Sequence, residues 1–155
     1  MSKSIVALPR PSLPENTQQA FWSFSYEERS EIINDMASFI KNRIEDRHTR
    51  KKERERCEIL VKLGASNTMI LHLLTTIEHE DIKKIRDYLS VQAQTGRIER
   101  AKTEDIPQIV QSWRELLQQH IGHKDEFECW LLLADDFPGY TLGQLFNAVR
   151  YGVAP

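Results

Sequence analysis

Leu63-Gly-Ala-Ser-Asn-Thr-Met-Ile-Leu-His-Leu-Leu74, then Thr75-Thr-Ile-Glu78, then His79-Glu-Asp-Ile-Lys-Lys-Ile-Arg-Asp-Tyr-Leu-Ser90, is the stretch that decides the fold. Gly64 is a natural helix stop, because glycine takes the left-handed conformation that ends helices at little cost. Ser66 can cap a short helix, Thr68 to Leu74, carrying Met69, Ile70, Leu73 and Leu74. Thr75-Thr76 breaks that run. A second helix, about His79 to Ser90, has Ile82, Ile85 and Leu89 on one face and Glu80, Lys83, Lys84 and Asp87 on the other. Two short apolar-faced helices with a tight connection form a helix-turn-helix-like pair. In such a pair the second helix enters the major groove, where lysines reach phosphates or guanine edges.

The same periodicity extends on both sides. Ser25 and Glu28 match a capping box, and Ile33, Met36, Ile40 and Ile44 then recur three and four residues apart. The charged run 45–58 has neither Gly nor Pro, so it either continues that helix or bends near His48-Thr49. Its bases suit a DNA arm. Its interleaved acids favour a solvated helix held by close pairs such as Glu53 with Arg56. After a turn at Gln94-Thr-Gly-Arg97, Asp105 can cap a helix that tolerates Pro107 in its first turn and runs to about His120. Another covers about Lys124 to Asp135, and Thr141 caps a last one ending at Gly152. Residues 1–24, with Pro9, Pro11 and Pro14, read as an extended arm carrying apolar residues that dock on the body or a partner. The expected fold is all-α: a helical bundle over 25–155 with a central helix-turn-helix-like region at about 60–97 and an extended N-terminal arm.

Of 155 residues, 28% are charged and the net charge is −2, so any nucleic-acid surface must come from local segregation. Residues 83–102 hold six bases (Lys83, Lys84, Arg86, Arg97, Arg100 and Lys102) against two acids. Residues 103–155 hold three bases against eight acids. A basic centre beside an acidic C-terminal part suits a polyanion at one face and a protein or solvent at another. Glu78, Glu80 and Asp87 oppose phosphate at the second helix.

Cys57 and Cys129 are too few for a disulfide framework or a four-cysteine zinc site. The cluster His120, His123 and Asp125 is split by Gly122, so no metal is expected there. There is no glycine-rich phosphate loop and no Gly-x-Ser-x-Gly setting, hence neither a cofactor nor an enzyme is expected. The apolar run Trp130 to Ala134 is far too short for a membrane helix, and no secretory signal is present, which makes the expected location cytoplasmic. Trp22, Trp113 and Trp130 read as core or interface anchors.

Leu60-Val-Lys-Leu-Gly-Ala65, Met69-Ile-Leu-His-Leu-Leu74, Ile82-Lys-Lys-Ile-Arg86, Gly96-Arg97 and Trp113, in that order, resemble the C subunit of the flagellar master transcription regulator (FlhC-type). They resemble still more its distant relatives on integrative conjugative elements and plasmids. The resemblance covers about Cys57 to Trp113. It implies a helical transcriptional activator of a mobile genetic element, bound to double-stranded DNA as a hetero-oligomer with a smaller D-type partner subunit, with RNA polymerase as a further contact. It places Lys83, Lys84 and Arg86 on the DNA-facing helix and Arg97 in the following turn. Arg100 and Lys102 complete the candidate contact set. The flagellar subunit's four-cysteine zinc site has no counterpart here. The competing expectation is a helical adaptor subunit that never touches DNA.

Overall fold

The computed structural model describes residues 12–93, 97–122 and 125–152, and within them every regular element is a helix. In chain order these are α1 (Glu15–Ser23), α2 (Tyr26–Lys62), α3 (Asn67–Leu73), α4 (His79–Leu89), α5 (Ile106–Gln119), α6 (Glu126–Asp136) and α7 (Leu142–Tyr151). The all-α expectation therefore holds. Residues 1–11, the turn residues Gln94 to Gly96 and the ligand candidate His123 lie outside the described residues.

Packing divides the chain between Asp46 and Arg47, inside α2 and not at the start of that helix. In the first unit, the arm expected to be extended is helical at Glu15–Ser23. Pro14 stands immediately before that helix with φ −52°, where a missing N–H costs nothing. Arg29 lies 5.3 Å from the ring centre of Trp22, which stays exposed. The Ser25–Glu28 capping box is present: Ser25 N donates to Glu28 at 2.8 Å and Glu28 N donates to Ser25 Oγ at 3.2 Å. The Ser25 backbone amide, with the Ser25 side chain second, holds the exposed Glu28 carboxyl below its ordinary range. α2 runs unbroken past His48-Thr49.

The second unit holds the core. α5 packs on both α6 and α7. Trp113 stacks on Trp130 with ring centres 3.9 Å apart, and Phe146 lies 5.5 Å from Trp130. Cys57, Leu60 and Val61 of α2, Met69 and Ile70 of α3, and Ile82 and Ile85 of α4 are buried in the same cluster. Burial supplies most of the stabilisation of such short helices, whose hydrogen bonds alone leave them marginal.

The Leu-Gly-Ala segment closes α2 with a Schellman motif. Gly64 N donates to Val61 O at 3.1 Å, and Ala65 N donates to Leu60 O at 2.9 Å. Gly64 has φ +76°, which favours glycine. The carbonyls of Leu63 and Gly64 then accept the first amides of α7, from Leu142 N at 2.9 Å and Gly143 N at 3.1 Å. The orphan acceptors of one helix end thus satisfy the orphan donors of another. Thr141 and Gln144 complete that end with a reciprocal capping box.

Candidate nucleic-acid interface

Ser66 Oγ accepts Met69 N at 3.2 Å and starts α3. Leu74–Glu78 connects α3 to α4, and α4 begins with a box in which Glu78 N donates to Asp81 at 3.0 Å. The connection is gripped from α2. Glu53 accepts the backbone amides of Thr75 and Thr76, at 3.1 and 2.6 Å, together with both threonine hydroxyls. The close pair expected between Glu53 and Arg56 does not form. Arg56 instead reaches α6, pairing with Asp125 and lying 4.5 Å from the Phe127 ring centre.

Partial burial pushes the Glu53 carboxyl up, but the four hydrogen bonds from Thr76 and Thr75 outweigh it and hold the group below its ordinary range. Asp125 is likewise pushed up by burial and pulled further down by Arg56, Glu128 N and Lys52. Depressed carboxyl values contribute stability above the unfolded-state range near pH 4, and that contribution disappears as pH falls through the folded values. Wild-type protein should therefore exceed Glu53→Gln in urea midpoint at pH 7, and the gap should narrow by pH 3. A gap that stays constant over this range contradicts the grip.

Five of the six candidate contact residues are exposed: Lys83 and Lys84 on α4, and Arg97, Arg100 and Lys102 after it. Arg86 is the exception. It is 8% exposed, and its guanidinium donates to Ala65 O and to Asn67 Oδ1, each at 3.0 Å. The expected DNA-facing role does not fit that burial: Arg86 fastens α4 to the turn between α2 and α3. Its Nε is buried without a hydrogen-bond partner among the described residues. The neighbouring Cys57 thiol is pushed up to about 11 by burial, against the opposing pull of the Arg86 charge, so it stays protonated at neutral pH. A lysine cannot reproduce two directed guanidinium bonds. Arg86→Lys should lower unfolding stability by about 1.5–3 kcal/mol, measured by urea titration. Unchanged stability with lost DNA affinity would return Arg86 to the contact surface.

The exposed bases do not share one recess. Lys84 borders a cleft of about 370 Å³ with Arg50 and Arg54 of α2, where Glu78 and Asp81 also stand. Lys83 borders a wider recess with His79, Asn67 and Asp87. Arg97 and Arg100 line a third, against Asn147, Ala148 and Tyr151 of α7. Lys102 is positioned through its backbone: its N–H donates to the Tyr140 hydroxyl at 3.3 Å, and that hydroxyl donates to Asp105. The hydrogen bond to Asp105 is the largest influence raising the Tyr140 hydroxyl above its ordinary value. Asp105 precedes α5 as expected, yet its carboxylate takes Tyr140 and makes no cap hydrogen bond.

Sequence reasoning left out Arg50 and Arg54 as partners of Lys84. Their four-residue spacing on α2 was the available signal. Lys84 also meets Glu80 at 3.1 Å, an exposed i,i+4 pair. Such a pair is worth about 0.3–0.5 kcal/mol, too little to keep Lys84 from a phosphate. No group of three or more His, Cys, Asp or Glu able to hold a metal occurs among the described residues, and no described helix is long and apolar enough to cross a membrane. Comparison with known proteins finds no matching family model, no matching characterised protein and no matching solved structure.

Proposed function

We propose that this chain is a DNA-binding transcriptional regulator, an activator on a mobile genetic element, that acts as a hetero-oligomer with a smaller partner subunit. One observation carries the reading. The α3–α4 pair is pinned at its connection by Glu53 and at its second helix by Arg86, while Lys83 and Lys84 remain exposed. A reading helix needs this combination, since its contact side chains must be free and its backbone fixed. Arg50 and Arg54 beside Lys84 add phosphate-binding charge. The order of motifs from Leu60 to Trp113 supports the regulator class through its resemblance to the flagellar C subunit. Arg97, Arg100 and Lys102 extend the contact beyond α4.

Fluorescence anisotropy with a mixed-sequence duplex across a salt series tests the proposal. Each phosphate neutralised contributes about −0.9 to the slope of log K against log salt. Lys83→Ala/Lys84→Ala should weaken binding at every sequence and flatten the slope by about 2, with the urea midpoint unchanged. Binding that ignores salt and both lysines refutes DNA recognition by this face. The exposed apolar residues of α2 favour a second reading, a helical adaptor. It predicts a stable protein complex that covers Lys83 and Lys84 and shows no DNA affinity.

A further inference from the structure

The part of α2 before Arg47 carries a large apolar face with no core beneath it. Ile33, Met36, Phe39, Ile40 and Ile44 are each between 48% and 64% exposed. At 100° per residue they share one broad face of the helix. The first buried residue of α2 is Cys57, more than eight turns from its start. A long helix without buried side chains lacks the packing that normally stabilises one. Contiguous apolar surface of a few hundred Å² marks an interaction site on a soluble protein.

Charge along the same helix selects the occupant. Residues 27–35 hold four acids (Glu27, Glu28, Glu31 and Asp35) against one base, Arg29. Residues 41–52 hold six bases against two acids. The apolar face lies across the junction of these segments, with its midpoint near Ser38-Phe39. A second α2 laid antiparallel about that midpoint sets Ile33 of one copy beside Ile44 of the other. Centred on Phe39, this register sets Asp35 opposite Arg43, Glu31 opposite Arg47 and Glu28 opposite Arg50. Parallel pairing would set each acidic turn against its own copy, which is repulsive. The helix is therefore complementary to itself in one direction only.

We infer that this face of α2 is the interface with a second copy of this chain, packed antiparallel about Phe39.

Sedimentation velocity of the 155-residue chain at tens of micromolar, in low and high salt, reads the association. The expected result is a dimer that Ile33→Glu/Ile40→Glu converts to monomer, with helix content and the cooperative unfolding transition retained. Cysteine cross-linking reads the direction. An equimolar mixture of Ile33→Cys and Ile44→Cys chains should form a mixed disulfide on mild oxidation, and Ile33→Cys alone should not. A monomeric wild-type chain, a dimer that survives the double substitution, or efficient cross-linking of Ile33→Cys with itself overturns the inference. Loss of the dimer with DNA binding retained in the double variant distinguishes this surface from the α4 contact.

Discussion

Trp130→Ala is expected to lower the unfolding free energy by about 3–5 kcal/mol, the range for deleting a large buried aromatic side chain. Trp130 is 1% exposed and sits where α5, α6 and α7 meet. It stacks on Trp113 of α5, contacts Phe146 of α7 and donates from Nε1 to Glu126 at 3.2 Å. Removing it opens a cavity between elements that each depend on the others for burial. Stacked aromatic pairs contribute about 0.5–1.5 kcal/mol beyond burial, so Trp113 loses support as well. Natural domains hold only about 5–15 kcal/mol in total. The thermal midpoint should therefore fall by on the order of 10 °C or more. Trp130→Phe should recover part of the loss. A calorimetric midpoint within a few degrees of wild type for the alanine variant would contradict the assignment of Trp130 to the centre of the core.

Gly64→Ala is expected to be nearly as damaging, although it adds one methyl group. At φ +76° an alanine meets the left-handed penalty of about 1–2 kcal/mol. The new Cβ would lie 2.9 Å from Thr141 Cβ, beside the backbone of the α7 cap. Relief requires the α2 end and α7 to move apart, and Leu142 and Gly143 then lose their acceptors on Leu63 and Gly64. Overpacking of this kind costs about 1–3 kcal/mol. The sum, about 2–5 kcal/mol, should appear in urea unfolding, with faster hydrogen exchange at Leu142 and Gly143. Thr141→Ser in the Gly64→Ala background removes Cγ2, which lies 3.0 Å from the added Cβ, and leaves the 2.9 Å approach of Thr141 Cβ in place. Only a small recovery is expected there, because the backbone conformation and the Cβ contact both persist.

Much of this architecture was legible because it is local. Ser25 with Glu28, Ser66 before α3, Thr141 before α7 and Gly64 after α2 act through groups within about five residues, and each stands where spacing placed it. The arm departs from the extended expectation for a local reason too: Pro14 permits a helix to begin directly after it, so a proline-containing segment does not bar one. The grip of Glu53 on Thr75 and Thr76 spans 22 and 23 residues, and the Arg56–Asp125 pair spans 69, so no spacing rule could reveal them. Asp105 illustrates a different limit, since its position was legible but Tyr140, 35 residues away, claims its carboxylate.

Arg86 is the instructive case at the candidate site. The phase of α4, read from Ile82, Ile85 and Leu89, left it off the polar face that carries Lys83 and Lys84. Its place among the contact residues came from the resemblance and from counting charge. One turn beyond Ile82, it falls on the buried side, where its guanidinium satisfies the Ala65 carbonyl that the α2–α3 turn leaves open. Counting charge along a sequence does not separate a contact from a clamp. Helical phase does.

The most direct test of DNA recognition by α4 is backbone amide NMR of the ¹⁵N-labelled chain, titrated with a mixed-sequence duplex at low salt. The expected result is shift changes concentrated at 79–90 and 97–102, reversed by added salt and diminished in Lys83→Ala/Lys84→Ala. Unperturbed amides in both segments at saturating duplex, or changes confined to 33–44, would contradict it.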